Sequence, residues 1–400
     1  MKGNTGLKNI PPAIWALGVA SLFNDIASEM IFSVLPLFIT NVLGVSISSI
    51  GMLEGIAEGL GLVVKIISGV ASDITKKRKP ITVIGYLLSA ASKFLFPLAH
   101  TFSTVIGARF IDRIGKGIRD TPRDALISEI APPATRGACF GLRQALDTVG
   151  AILGPAIAAL CLATIIDIRT ILWVATVPTC IAVIILLVDV REPDDGYAPP
   201  RTALTLQFYQ QLPKSYWRLI VPVTVLYAAH CSQAFIILQA QHIGIPTAFI
   251  PLLIIIANIV YALWAYPIGA RSDTVGTYRL VTIGIIALIG AHISFAYAQH
   301  WSLMLVGSVL WGLHSGYTKS LFATIVAQTT EPAIRATAYG ILYASIGIAT
   351  LCASVLMGYL WDTYSSKTAF LCAASITTLA LALWLALQPS TEIQAVNIQE

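Results

Sequence analysis

Apolar stretches of about 20 residues recur from one end of this chain to the other, each long enough to cross a hydrocarbon core about 30 Å thick. In lipid, every backbone N–H and C=O must find its partner inside the protein. These stretches are far too long for barrel strands, so the sequence predicts helices. Composition supports this. Of 400 residues, 56% are hydrophobic and 11% charged, with a mean hydropathy of +0.78. A soluble domain carries about a quarter charged residues, so this chain has too few to cover a soluble surface of its size.

Twelve segments are expected, at 13–40, 47–72, 80–100, 103–127, 136–163, 170–190, 217–241, 247–270, 279–298, 301–328, 333–360 and 367–388. The polar stretch between the sixth and seventh, with Pro193, Asp194, Asp195, Gly196, Pro199 and Pro200, reads as a linker. The expected organisation is a helical bundle over 1–190, a linker over 191–216 and a second bundle over 217–400. The first apolar stretch is too long for a signal-peptide core and has no evident cleavage site, so it is expected to be retained. Lys76, Lys77, Arg78, Lys79, Arg136, Arg191, Arg201, Lys214, Arg271, Arg279 and Arg335 fall in one set of loops; the opposite set offers little beyond Arg169 and Lys367. By the positive-inside rule, both termini and the linker are expected in the cytoplasm, with the chain in the cytoplasmic (inner) membrane.

The chain also repeats itself. Gly69-Val70-Ala71-Ser72-Asp73 returns as Gly269-Ala270-Arg271-Ser272-Asp273, and Arg136-Gly137-Ala138-Cys139-Phe140-Gly141 as Arg335-Ala336-Thr337-Ala338-Tyr339-Gly340. Two landmarks repeated at one spacing indicate a duplicated unit of about 200 residues. Duplicated helical bundles with a site near mid-depth are how secondary transporters are built.

These landmarks resemble the major facilitator superfamily over essentially the full length. The loop after the second segment is similar to its gating motif: Gly69, Asp73, Lys77 and Arg78 match, with Ile74 where arginine is usual and Lys76 where a second glycine is. The second copy keeps Gly269, Asp273 and Gly276 without the following basic pair. Gly141, Gly150, Gly154 and Pro155 stand at the spacing of the family's antiporter motif, with Ala158 in place of a last glycine. The resemblance implies twelve transmembrane helices in two pseudo-symmetric six-helix bundles, alternating access, and a gating role for these loop residues with Arg136 and Arg335. The strings Phe23-Asn24-Asp25-Ile26-Ala27-Ser28-Glu29-Met30, Asp112-Arg113-Ile114-Gly115-Lys116-Gly117-Ile118-Arg119 and Thr121-Pro122-Arg123-Asp124-Ala125 resemble a bacterial branch, some of whose members are linked to uptake of siderophores or other iron chelates. Asn24 is expected at the substrate site on the same ground.

A charge at the bilayer centre costs at least about 2.5–3.5 kcal/mol and is by default a functional hypothesis. Asp25 and Glu29 lie four residues apart on one helix face, and Glu54 and Glu58 repeat the arrangement. Neighbouring carboxylates in a low dielectric resist carrying two charges at once, which suits a proton carrier. Two readings stand for each pair: proton or cation coupling, and fixed partnership with nearby cations. Arg109, Arg113 and Lys116 share a stripe with Asp120 and are candidates for an anionic ligand, arginine because its planar fork holds a carboxylate through two bonds. Many of these charges must pair internally, since so many could not be buried alone. Arg123 and Asp124, nearer the segment's end, are expected to lock a gate.

The second half is different in kind. His230, Gln233, Trp311, His314 and Tyr317 supply aromatic walls and hydrogen-bonding groups for a small-ligand pocket. Lys319 has either a structural or a ligand-neutralising role. Six cysteines lie scattered, without a Cys-x-x-Cys pair, and no short-spaced His/Cys cluster suggests a metal site; His230 and His314 read as neutral hydrogen-bonding groups. No nucleotide-binding loop or nucleophile elbow is present, so neither a cofactor nor enzymatic activity is expected. The distribution of charge follows the membrane and does not suggest nucleic acid. The expected partners are a small solute, with a metal chelate as the preferred class, protons and lipid, and nothing requires more than a monomer. Two functional readings follow: proton-coupled import of a carboxylate-rich solute, and proton-coupled export of drugs or metabolites.

Overall fold

A computed structural model describes residues 10–75, 77–132, 136–164, 167–190, 212–330 and 335–387. Most of the expected linker therefore lies outside the described residues, as do Lys76 and the side chains of Asp73, Arg136, Asp273 and Arg335.

Among the described residues there is no strand. The helices are α1 (Pro12–Leu37), α2 (Ile47–Thr75), α3 (Arg78–Leu98), α4 (Phe102–Ile130), α5 (Arg136–Thr164), α6 (Ile168–Val174), α7 (Thr176–Asp189), α8 (Lys214–Tyr227), α9 (Gln233–His242), α10 (Ile250–Val275), α11 (Thr277–Ala296), α12 (Trp301–Thr329), α13 (Arg335–Thr363) and α14 (Ser366–Leu387). A π-helical turn, Phe38–Val42, continues α1. Each of the twelve expected segments meets helix near its expected ends. Among the described residues, eight stretches are long and apolar enough to cross a membrane: Pro12–Val42, Arg78–Leu98, Cys139–Thr164, Ile168–Asp189, Thr247–Ala265, Thr277–Ala296, Ala338–Thr363 and Ser366–Leu387. In α2 and α4, ionisable residues dilute the apolar run.

The seventh segment departs from expectation. The sequence suggests one helix over 217–241, but the chain leaves helix between α8 and α9 at residues 228–232. Side-chain contacts hold the break. The His230 ring stacks on Trp311 at 5.9 Å and lies 5.9 Å from His314. The Cys231 thiol lies 3.9 Å from His292 Nε2. Helix propensity is a weak prior that such tertiary contacts override.

By packing, the chain forms two compact units. One joins the described parts of Met1–Arg201 to Gln233–Asn258; the other joins those of Thr202–Ser232 to Ile259–Glu400. In the first, Gln241 Nε2 donates to Asn41 Oδ1 at 2.6 Å and Asn258 Nδ2 donates to Ala151 O at 2.8 Å. Positions 41 and 241 are thus repeat equivalents bonded to each other. Gly44 and Gly244, each ending a segment of the repeat, take positive φ of 66° and 82°, a conformation that glycine adopts without steric cost.

Large apolar side chains face outward in both units. Leu160, Val188, Leu263 and Ile348 are 66–69% exposed, which fits hydrocarbon as the surrounding solvent.

Candidate functional site: a charged helix in the first unit and an aromatic cluster in the second

Helix α4 is held backbone to backbone on two sides. A Cβ on Gly115 would lie 2.7 Å from Ser89 N and 2.8 Å from Gly85 O of α3, and one on Gly117 would lie 2.8 Å from Gly61 O of α2. Ser68 Oγ donates to Gly117 O at 2.8 Å. Two glycines in the Asp112–Arg119 string thus bring the backbone of α4 close to those of α2 and α3.

Nearly all of those charges are paired. Arg109 Nη2 lies 2.5 Å from Glu54 Oε2, and Arg113 Nη2 the same distance from Glu58 Oε1. Both guanidinium groups lie over the Phe32 ring, at 3.9 and 5.2 Å, where the π face attracts a cation. Toward the basic-loop end, Lys65 meets Asp120 at 2.9 Å. Arg119 reaches Asp120 at 3.4 Å and Asp25 at 3.6 Å and lies 4.7 Å above the Tyr86 ring. Arg123 donates to Ser21 Oγ at 2.9 Å and to Asp124 at 3.2 Å. Arg143 joins Asp147 at 2.8 Å and approaches Asp124 at 3.8 Å.

Within this ladder Glu29 and Lys116 stand out, for neither has an ion pair among the described residues. The charges acting on Glu29 are Asp25 on its own helix and Lys116, Arg113 and Arg109 on α4. Asn24 is fully buried and neither of its amide atoms has a hydrogen-bond partner.

Glycine seats the carboxylates of α1. A Cβ on Gly150 would lie 2.9 Å from Leu22 O and 3.0 Å from the Asp25 Cβ; one on Gly154 would lie 2.7 Å from both Ile26 O and the Glu29 Cβ. The α5 glycine pattern and the α1 carboxylates are therefore two sides of one helix contact. Pro155 is also buried within α5. Gly141 takes no part, since a Cβ there would meet nothing within 4 Å.

The gating-motif residues divide. Arg78 is buried, donating to Ser72 Oγ at 2.6 Å and to Glu129 at 3.1 Å, so it ties α3 to α2 and α4. Lys77 is exposed. Gly69 allows α4 to approach, its Cβ position lying 3.0 Å from Thr121 Cγ2. Gly269 lies within α10. The partners described for Arg123 and Asp124 are on α1, α4 and α5; the expected Asp73 contact lies outside the described residues.

In the second unit, His230, Trp311 and His314 meet as described, with Tyr227 5.3 Å from His230. His314 Nδ1 donates to Gly284 O at 2.9 Å. Trp311 is buried and its Nε1 has no hydrogen-bond partner. Tyr317 joins a neighbouring group, stacked with Trp264 at 6.3 Å. Lys319 is exposed and lies 5.0 Å from the Tyr261 ring centre. Gln233 opens α9, in the segment that packs with the first unit. Among the described residues no group of His, Cys, Asp and Glu is placed to hold a metal, and the six cysteines are free thiols.

The sequence reading missed three contributors. Lys93, 1% exposed, lies 3.0 Å from Asp112; its signal was being the sole Lys, Arg, Asp or Glu within the apolar span 80–100. Phe32 sits under both arginines and falls three residues after Glu29. His292, fully buried, faces Thr377 Oγ1 at 3.3 Å as well as Cys231.

Among the described residues the molecule is all-helical, with many helices of membrane-spanning length and ion-paired charges between them, the architecture of a multi-pass membrane transporter. A family model of the Major Facilitator Superfamily matches residues 17–240 and, again, 223–400. The chain belongs to this superfamily. It is 32% identical over 379 residues to the uncharacterised MFS-type transporter MJ1317 of Methanocaldococcus jannaschii, covering 92% of this chain and 93% of that one. Over 128 residues, 32% of each chain, it is 30% identical to the quinolone resistance protein NorA of Staphylococcus aureus. The crystal structure of the nucleoside transporter NupG (D323A mutant) superposes with a TM-score of 0.80 at 16% identity, over 94% of this chain and all of that one.

Proposed function

We propose that this transporter imports an anionic, carboxylate-bearing solute together with protons, and that an organic metal chelate is the substrate class. One observation supports the reading: within a ladder of paired charges, Glu29 and Lys116 have no ion pair among the described residues. A lone carboxylate at membrane depth can take up and release a proton without breaking a salt bridge. A lone ammonium nearby attracts an anion that has left water. Glu54 and Glu58, held by Arg109 and Arg113, are charge partners in this scheme. Asp25, 3.6 Å from Arg119, is a secondary coupling group. Arg113 and Lys116 are proposed to face the solute's anion; in the second unit, taken by itself, His230, Trp311 and His314 form an aromatic and hydrogen-bonding group. The bundles are proposed as 1–190 and 217–400, joined by a cytoplasmic linker. Both termini are in the cytoplasm by the loop distribution of Lys and Arg, and the protein acts as a monomer in the inner membrane. Asp73, Asp273, Arg136 and Arg335 are proposed to gate the cytoplasmic side.

The test is uptake of radioactive iron, presented as a panel of chelates, into proteoliposomes under an imposed proton gradient. Accumulation of one chelate that stops when the gradient collapses supports the reading. No accumulation of any chelate by folded, oriented protein refutes the chelate assignment. A second reading, proton-coupled export of drugs or metabolites, draws on the likeness to NorA over a third of the chain and on the glycine-mediated contact between α1 and α5. Counterflow with the opposite dependence on the pH gradient distinguishes it.

A further inference from the structure

Lys93 lies on α3, outside the proposed anion site, and is connected to that site by a chain of alternating charges. Its Nζ donates to Asp112 Oδ1 at 3.0 Å. The same oxygen accepts from Ser89 Oγ at 3.0 Å, while Ser92 Oγ, 3.4 Å away, donates to Ser89 O at 2.8 Å. The other carboxylate oxygen, Oδ2, faces Arg109 Nη1 at 3.9 Å, beyond hydrogen-bond reach. Arg109 then holds Glu54 through Nη2 at 2.5 Å. The Arg109 Nη1 and Nε atoms are buried and have no hydrogen-bond partner. Lys93, Arg109 and Asp112 are 1%, 2% and 3% exposed, so water cannot compensate any of them.

Arg109 is therefore within reach of two carboxylates, Glu54 on α2 and Asp112 on its own helix. What keeps it on Glu54 is that Asp112 is already satisfied by one ammonium and the Ser89 hydroxyl. We propose that Lys93 is a positioning residue: by occupying Asp112, it keeps Arg109 on Glu54 and so keeps the α2 carboxylate in its ion pair. Without the Lys93 charge, Asp112 is a bare buried anion on which Arg113 and Arg109 of its own helix act, and Arg109 Nη1 already lies 3.9 Å from its Oδ2. Arg109 then turns from Glu54 to Asp112. Glu54 loses its hydrogen-bonded partner, keeps only the more distant charge of Arg113, which is itself held by Glu58, and becomes open to protonation in a medium that penalises an unpaired carboxylate. The remaining charges acting on Lys93 are Arg119 and Asp25, each engaged with the other and with groups nearer the basic-loop end of α4. This inference rests on the reading of α4 as the charged wall of the transport site.

Dicyclohexylcarbodiimide modifies protonated carboxyl groups in apolar surroundings, and peptide mass spectrometry localises the adduct. The readout needs no substrate, so a wrong substrate assignment leaves it intact. In purified full-length Lys93→Met, labelling of Glu54 is expected to rise severalfold over wild type. Lys93→Arg, which keeps the charge, and Lys93→Met combined with Asp112→Asn, which removes the competing anion, are expected to return it to the wild-type level. Unlabelled Glu54 in folded Lys93→Met overturns the proposal. Equal labelling in the single and double variants also overturns it, because loosened packing, not competition for Arg109, then exposes the carboxyl. If Lys93→Met does not fold, Lys93→Gln removes the charge while keeping a donor to Ser89 O, and the same outcomes apply.

Discussion

Two carboxylates in the first unit, one turn apart in role though not in sequence, make opposite predictions. Glu54 compensates the buried Arg109, so Glu54→Gln leaves a cation without its partner. Breaking a buried pair in this way costs about 3–5 kcal/mol, seen as a marked drop in thermal unfolding temperature in detergent. Glu29 compensates nothing directly, so Glu29→Gln is expected to unfold at or above the wild-type temperature while abolishing dependence on the proton gradient. Equal destabilisation by the two substitutions would contradict the division into paired and unpaired groups. The presence of these charges was legible in the sequence, since a carboxylate inside an apolar run is visible by inspection. Which of them were already satisfied was not, because the partner of Arg109 lies 55 residues away and no local rule couples positions so distant. Lys93 escaped for a similar reason: on its own helix it is merely an isolated lysine, and it acquires meaning only against Asp112.

Helices α1 and α5 cross where glycine replaces a side chain. A methyl on Gly154 would lie 2.7 Å from a backbone oxygen of α1, which cannot move out of the way as a flexible side chain could. Gly154→Ala is therefore expected to destabilise by about 1–3 kcal/mol through overpacking and to impair transport by displacing Glu29. Gly141→Ala, in the same helix but meeting nothing within 4 Å, should instead stabilise by up to about 1 kcal/mol. Thermal unfolding of the two variants side by side checks both. Apolar length and spacing made the helices themselves easy to read, because each depends on the composition of a whole segment. The break between α8 and α9 was hidden: residues 228–232, Ala-Ala-His-Cys-Ser, contain neither glycine nor proline. It is held by ring and thiol contacts with α11 and α12 that only the fold brings together.

At the scale of the molecule, the duplication is legible in sequence and has a physical counterpart in the bond between repeat equivalents Asn41 and Gln241. In the proposed division at 1–190 and 217–400, alternating access requires the packing of residues 233–258 on α1 and α5 to open in each cycle. Cysteines at positions 41 and 241 are expected to form a disulfide under mild oxidation that stops solute flux, with reductant restoring it. Flux unaffected by a fully formed cross-link would mean that this packing is static. The central claim, that Glu29 carries the coupled proton, is tested most directly by pH-jump currents on a solid-supported membrane loaded with the reconstituted protein. The wild type is expected to give a transient current as the carboxylate binds its proton, and Glu29→Gln to give none while remaining folded. An undiminished transient in that variant would contradict the assignment and move the coupled proton to another group.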